Sequence, residues 1–108
     1  MSLDLPPPIA AYVAANARLD ADGMLIPFAA DAVVFDERER RVGKAQILAW
    51  IQSATIASRA VFTPVAWRQE KGVIVVEGPT TGDFPGSPIP FTFRFTLENR
   101  AISALEVG

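Results

Sequence analysis

The spacing of apolar residues along the 108-residue chain changes from a helical period to a strand period near residue 58. In the first part, one stripe recurs at intervals of three and four, which predicts the buried face of a helix. This stripe consists of Ile9, Tyr12, Val13, Asn16 and Ala17. The three preceding prolines belong in the first helical turn, where a missing N–H costs nothing. We therefore predict a first helix across LPPPIAAYVAANARL, with Asp4 as its cap.

Two further helices are predicted before the strand-rich part. Asp20 should cap a short helix within residues 20–31, which Pro27 should kink or shorten. Residues 43–55 should form a third helix, whose buried stripe is Ile47, Trp50, Ile51 and Ala54. Between these two helices, AVVFD is rich in β-branched and aromatic residues, which predicts a strand ending at Asp36.

After residue 58, apolar and polar residues alternate, which predicts strands in residues 59–69, 73–84, 89–97 and 101–107. The turns between them are EKG, PGSP and ENR. In the third of these strands, Phe91, Phe93, Phe95 and Leu97 share one face, and Thr92, Arg94 and Thr96 share the other. Helices followed by an antiparallel meander of four strands indicate an α+β fold with a curved sheet around the helices. We expect one domain, residues 1–108, because the length suits a single core.

Composition removes most kinds of catalytic chemistry. The chain has no cysteine and no histidine, which excludes thiol nucleophiles, Ser-His-Asp triads and the usual zinc ligands. Its seven glycines form no phosphate-binding loop. We therefore expect no metal and no cofactor. A catalyst built from this chain would use a carboxylate as its base and Tyr, Ser, Thr, Trp or backbone groups as donors.

Charge and hydropathy bear on partners and location. The net charge is −2, and the RERR cluster is balanced by neighbouring acids, which predicts a solvated turn and no nucleic-acid surface. No apolar run approaches the ~18 residues of a membrane span. The N-terminal sequence lacks the basic and apolar regions of a signal peptide, so a cytoplasmic location is the default expectation.

The order of these elements resembles the nuclear-transport-factor-2-like superfamily, in particular its bacterial SnoaL-like members. The motifs that carry the resemblance are ADAVVFD, GKAQILAWI, GDFPGSPIPFTFRFTL and RAISALEV, and together with the first helix they cover nearly the whole chain. The resemblance implies a cone-shaped α+β half-barrel, with three N-terminal helices packed in a strongly curved, mostly antiparallel sheet around an apolar pocket. It also implies a homodimer through the outer sheet face, near Thr92, Arg94 and Thr96.

Residues 12–36 are most similar to ketosteroid isomerase, and they align without a gap from its oxyanion-hole tyrosine to its general-base aspartate. Tyr12 falls on the tyrosine and Asp36 on the base. That enzyme completes its oxyanion hole with a protonated aspartic acid. Phe91 stands at the corresponding place here, so we expect weak or undetectable steroid isomerisation. Trp50 and Ile51 replace the aromatic pair that supports the tyrosine.

The resemblance implies that Tyr12 and Asp36 face a common cavity, with Trp50, Phe91, Phe93 and Phe28 as its aromatic wall. The residues alone leave open whether Asp36 belongs to the pocket or to a solvated turn. They also leave open whether Glu77, Asp83 and Trp67 border the pocket. Two functions fit the family. One is a cofactor-free isomerase, cyclase or dehydratase acting on a small apolar carbonyl compound, with Asp36 as base and Tyr12 as donor. The other is a non-catalytic protein that binds a hydrophobic ligand, or an accessory dimeric protein.

Overall fold

A computed structural model describes residues 3–108, and these residues form three α-helices, one π-helical turn and seven strands. The helices are α1 (Pro7–Ala17), α2 (Ala21–Leu25) and α3 (Lys44–Trp50), and the π-helical turn (Ile51–Ile56) continues α3. The strands are β1 (Phe28–Asp36), β2 (Glu39–Val42), β3 (Val61–Phe62), β4 (Ala66–Glu70), β5 (Val73–Thr81), β6 (Ile89–Glu98) and β7 (Ala101–Val107). Among the described residues, no helix is long and apolar enough to span a membrane.

The two N-terminal helices begin and end for different local reasons. Helix α1 begins at Pro7 and has Pro6 as its N-cap residue, so the predicted cap at Asp4 is wrong. Proline starts a helix without a side-chain cap because its fixed φ already suits the first turn. The cap predicted at Asp20 is confirmed, since its carboxylate accepts a hydrogen bond from the Gly23 N–H at 3.0 Å. Helix α2 ends at Leu25, two residues before Pro27, as that proline requires.

The strands form one sheet in the order β2-β1-β7-β6-β5-β3, and β4 also pairs with β5. Strands β4 to β7 form the predicted antiparallel meander. The parallel pairing of β1 with β7 brings the early strand beside the last one, and the sheet curls strongly into a half-barrel. The predicted α+β half-barrel with three N-terminal helices is therefore confirmed.

The inner face of the curved sheet packs against α1. On β6, Phe93 and Phe95 are buried and Phe91 is half-buried, as the alternation predicted. The Tyr12 ring of α1 lies edge-on to Phe95, with the ring centres 5.8 Å apart. Edge-to-face aromatic pairs of this kind add to the free energy gained from burial.

Two sequence predictions for the early strands need correction. Strand β1 begins at Phe28, four residues before the predicted start, because α2 ends early and leaves those residues to the sheet. Glu37 and Arg38 have φ values of 54° and 63°, and they form a two-residue hairpin loop between β1 and β2. The RERR cluster is therefore largely a paired edge strand, whereas the sequence predicted only a solvated turn.

The strand predicted across residues 59–69 is divided into β3 and β4 by a bulge at Pro64. The Thr63 N–H donates to Pro79 O at 2.9 Å and the Val65 N–H to Glu77 O at 2.8 Å, so the chain pairs with β5 on both sides of the proline. A Cβ on Gly78 would lie 2.1 Å from Thr63 O. Glycine at position 78 therefore permits the close approach that the bulge needs.

One buried amide joins α1 to the beginning of β3. The Asn16 side chain is 3% exposed, and its Nδ2 group donates to Ala60 O at 2.9 Å. Its Oδ1 atom accepts from the Phe62 N–H at 2.7 Å. These two backbone groups would otherwise be buried without partners, which is costly for a folded protein.

We expect Asn16→Ala to lower the free energy of unfolding by about 2–4 kcal/mol, because it leaves a buried N–H and a buried C=O unpaired and opens a small cavity. Urea unfolding followed by circular dichroism measures this change. Gln52→Ala is the control, since Gln52 is an exposed amide on the π-helical turn. A decrease in the free energy of unfolding for Asn16→Ala no larger than that for Gln52→Ala would contradict the role assigned to Asn16.

Candidate functional site

Asp36 is the last residue of β1, and its side chain lines an internal cavity. Because side chains alternate along a strand, Asp36 lies on the same face as Val34, which is completely buried. The Arg41 guanidinium donates to the Asp36 backbone carbonyl at 2.7 Å and closes the turn from the β2 side. The strand-end, pocket-facing alternative for Asp36 is therefore the one observed.

The Asp36 carboxylate is held by an indole. Nε1 of Trp50, at the end of α3, donates a hydrogen bond to Asp36 Oδ2 at 2.9 Å. Trp50 is only 4% exposed, so its N–H has to find a partner inside the protein. The bond fixes the orientation of the carboxylate through one of its two oxygens. Sequence analysis assigned Trp50 to the pocket wall and missed this contact.

Tyr12 reaches the same cavity from α1 and is 2% exposed. Burial raises the pKa of its hydroxyl well above the ordinary value, and the nearby Asp36 carboxylate raises it further. The hydroxyl therefore stays protonated, as a hydrogen-bond donor requires. Among residues 3–108, no group forms a hydrogen bond with it, so its proton is available to a ligand.

The cavity is small and lies beside a second one. The inner cavity has a volume of about 50 Å³. Its lining residues are Tyr12, Asn16, Asp36, Trp50, Ala54, Thr55, Ala60, Phe62, Thr80, Phe91, Phe93 and Val107. The outer cavity has a volume of about 230 Å³ and shares Asp36, Ala54, Ala60, Thr80 and Phe91 with the inner one. Tyr12 and Asp36 both line the inner cavity, as predicted, and the five shared residues lie where the two cavities adjoin.

The predicted aromatic wall is present in part. Trp50, Phe91 and Phe93 line the inner cavity. Phe28 does not line either cavity, because it is buried behind Tyr12 with the two ring centres 5.8 Å apart. Phe28 therefore supports the tyrosine ring from the core, and the prediction that it contacts a ligand finds no support in its position.

The three residues that the sequence left undecided lie away from both cavities. Glu77 forms an ion pair with Arg68. Asp83 is exposed in the loop after β5. Trp67 is half-buried and packs against the core. None of the three borders the inner or the outer cavity.

Thr80 is a site residue that sequence analysis missed. It is 3% exposed, lines both cavities, and is the only residue within 3–108 with a buried side-chain oxygen or nitrogen that lacks a hydrogen-bond partner. An unpaired buried hydroxyl costs about 1–3 kcal/mol, so its presence beside a cavity needs an explanation. In the sequence, Thr80 and Thr81 look alike, and only the strand register distinguishes the inward one.

The charged residues around the two cavities are both carboxylates. Asp36 lines both cavities and Glu37 lines the outer one, and no lysine or arginine lines either. Within residues 3–108, no group of three or more carboxylates is placed to hold a metal ion. The inner cavity therefore offers one carboxylate acceptor, the hydroxyl groups of Tyr12, Thr55 and Thr80, and an aromatic wall.

The fold agrees with comparisons to known proteins. A protein from Sinorhizobium meliloti, proposed to be a polyketide cyclase, is 35% identical over 100% of this chain and 99% of its own, with a TM-score of 0.91. A cystatin-fold protein from Novosphingobium aromaticivorans is 17% identical, covers 99% of each chain and has a TM-score of 0.79. No curated protein matches the sequence.

A third structure has a fold like that of ketosteroid isomerase. It comes from Catenulispora acidiphila and was crystallised in complex with trimethylamine. It is 20% identical over 95% of this chain and 85% of its own, with a TM-score of 0.79. At this identity the likeness concerns the fold alone.

The family model of the SnoaL-like domain matches residues 9–105. The chain therefore belongs to the SnoaL-like family.

Proposed function

We propose that this protein is a cofactor-free enzyme that transfers a proton on a compact apolar carbonyl compound, in an isomerisation, an intramolecular cyclisation or a dehydration. The observation that carries the proposal is a single carboxylate, Asp36, fixed by Trp50 in an aromatic cavity that also receives the Tyr12 hydroxyl. A positioned carboxylate with one free oxygen can act as a general base. The likeness to a proposed polyketide cyclase at 35% identity supports this reaction class.

In the proposed reaction, Asp36 removes a proton from the carbon next to the substrate carbonyl. The electron pair of that C–H bond moves toward the carbonyl oxygen, and Tyr12 donates a hydrogen bond to the charge that develops there. In an isomerisation, Asp36 returns the proton to another carbon. In a cyclisation, the enolate carbon attacks a second carbonyl of the same molecule, and the proton on Asp36 goes to the alkoxide that forms. In a dehydration, the enolate expels a β-hydroxyl group, which takes the proton from Asp36 and leaves as water. Trp50 keeps the carboxylate oriented through this cycle and exchanges no proton.

The size of the site limits the substrate. Pockets for drug-sized ligands are about 300–1,000 Å³. The inner cavity of about 50 Å³ and the outer cavity of about 230 Å³ are each smaller than that range. Phe91 lies between the two cavities and fills space as well as lacking an acidic proton. These facts favour a compact substrate and argue against a steroid.

A second candidate function is non-catalytic binding of a ligand whose polar end contacts Asp36. The observation that favours it is the absence of cationic side chains around both cavities, in contrast to the carboxylates of Asp36 and Glu37. A small amine would match such a site, since aromatic rings and a carboxylate both attract cations. The related fold from Catenulispora acidiphila was crystallised with trimethylamine.

We expect the wild-type protein to speed the exchange of α-protons of 2-tetralone or cyclohexanone in D₂O, which proton NMR measures directly. Asp36→Asn should lower the rate about 10²–10⁴-fold, because it removes the base while keeping the shape. Tyr12→Phe should lower it about 10²–10³-fold. The matched control is Asp31→Asn, an exposed carboxylate on the same strand.

The exchange experiment separates the two candidate functions. Wild-type exchange no faster than that of Asp36→Asn would exclude the enzyme for these ketones. If trimethylammonium then raised the melting temperature of the wild type and not of Asp36→Asn, the binding function would be favoured. A rate in Tyr12→Phe equal to that of wild type would remove Tyr12 from the mechanism.

We also propose that two copies of the chain associate through the outer face of the sheet. Thr92, Arg94 and Thr96 alternate with the inward phenylalanines and therefore lie on this face. Phe35 and Val42 are each 44% exposed on β1 and β2. They add apolar surface, and such patches often mark interfaces.

Light scattering should give about twice the 11.6 kDa mass of one chain at micromolar concentration. Thr96→Arg should shift the mass toward the monomer, because two added charges would meet near a two-fold axis. Gln52→Arg, on the π-helical turn, should leave the dimer intact. A wild-type mass near that of one chain would reject the dimer.

A further inference from the structure

The Thr80 hydroxyl is buried, borders both cavities and has no hydrogen-bond partner in the described part of the chain. Its place on the inner face follows from register, since Thr80 pairs with Ile89 of β6 and Phe62 of β3. It shares this face with Gly78, which lies opposite Phe91. A hydroxyl in this position can turn its proton toward a ligand, because no protein acceptor holds it.

Three of the other polar groups around the inner cavity are already engaged or have a different role. Both functional atoms of the Asn16 amide are bonded to backbone groups of β3 and the residue before it. The Trp50 N–H is bonded to Asp36. Asp36 offers an acceptor and no proton. The hydroxyls of Tyr12, Thr80 and the half-buried Thr55 also border this space without a hydrogen bond to the described part of the protein, and of these three the Thr80 oxygen is the buried one without a partner.

The inner cavity is small enough for the Tyr12 and Thr80 hydroxyls to contact the same group of a ligand. A volume of about 50 Å³ is well below the ~300 Å³ of a pocket for a drug-sized ligand. One carbonyl group fits into such a space, and a larger ligand would have to extend into the outer cavity past the shared residues. Thr80 and Asp36 both lie at that passage.

We propose that Thr80 is a second oxyanion donor, which together with Tyr12 binds the carbonyl oxygen of the ligand. This role rests on the proposed proton-transfer function. Thr80 would take the part that a protonated aspartic acid has in ketosteroid isomerase, where this chain has Phe91. When Asp36 takes the α-proton, the C–H electron pair forms the enolate and the negative charge collects on oxygen. The Tyr12 and Thr80 hydroxyls each donate a hydrogen bond to that oxygen, and neither gives up its proton.

The test uses 4-nitrophenolate, whose charged oxygen stands in for the enolate and whose visible absorbance reports binding. Titrations are made in the Asp36→Asn background, because the neutral amide reproduces the uncharged carboxyl that faces the enolate after proton transfer. We expect Thr80→Val to weaken binding about 10–100-fold, as for loss of a hydrogen bond to a charged group. Thr80→Ser retains the hydroxyl and should stay within about threefold of the parent.

A second measurement tests whether the hydroxyl is unpaired in the free protein. Thr80→Val should unfold at the same urea concentration as wild type or a higher one, because it removes no hydrogen bond. A lower midpoint for Thr80→Val with a normal one for Thr80→Ser would show that the hydroxyl has a structural partner and would overturn the proposal. Equal phenolate affinity in Thr80→Val, or no phenolate binding by the parent, would also overturn it.

The outcomes separate this inference from the proposed function. If Thr80→Val lowers phenolate affinity while wild type fails to exchange ketone α-protons, the donor role stands as a binding role and the enzyme proposal fails. If wild type exchanges those protons and Thr80→Val does so equally well with unchanged phenolate affinity, the enzyme proposal stands and Thr80 is not a donor.

Discussion

The hydrogen bond from the Trp50 indole to the Asp36 carboxylate is the interaction on which the site depends. A carboxylate placed against aromatic walls loses much of its hydration, and this loss is tolerable only if hydrogen bonds replace it. At 2.9 Å, the indole N–H provides such a bond. It also connects the end of β1 to the end of α3. The orientation of the carboxylate therefore depends on how α3 packs against the sheet.

The polar groups around the cavity divide into two sets. Asn16 and Trp50 have their hydrogen-bonding capacity used by the protein, and they hold the helices against the sheet. Tyr12 and Thr80 have hydroxyls with no partner among the described residues, at the place where a ligand would sit. Natural proteins pair nearly all their buried polar groups. The unpaired Thr80 hydroxyl beside the fixed Asp36 carboxylate is therefore the observation that most favours a ligand in the cavity over packing alone.

Local sequence patterns were enough to predict the helices, the β4–β7 meander and the inward face of β6, because each depends on residues close in the chain. Likeness to a known family placed Tyr12 and Asp36 at a common cavity. The β1–β2 hairpin escaped prediction because Glu37 and Arg38 adopt positive φ without the asparagine or glycine that normally signals such a turn. The Trp50–Asp36 bond and the inward position of Thr80 depend on helix docking and strand register. No spacing along the chain indicates either of them.

The two indole N–H signals in the proton NMR spectrum, from Trp50 and Trp67, give the most direct test of the central interaction. The signal lost in Trp50→Phe identifies Trp50, and in the wild type it should lie downfield and exchange slowly with solvent, because the indole is buried and its proton is bonded to a carboxylate. Asp36→Asn should move this signal upfield and leave the Trp67 signal in place. A Trp50 signal that exchanges as fast as an exposed indole, and that does not move in Asp36→Asn, would show that the carboxylate is not held in the cavity as described.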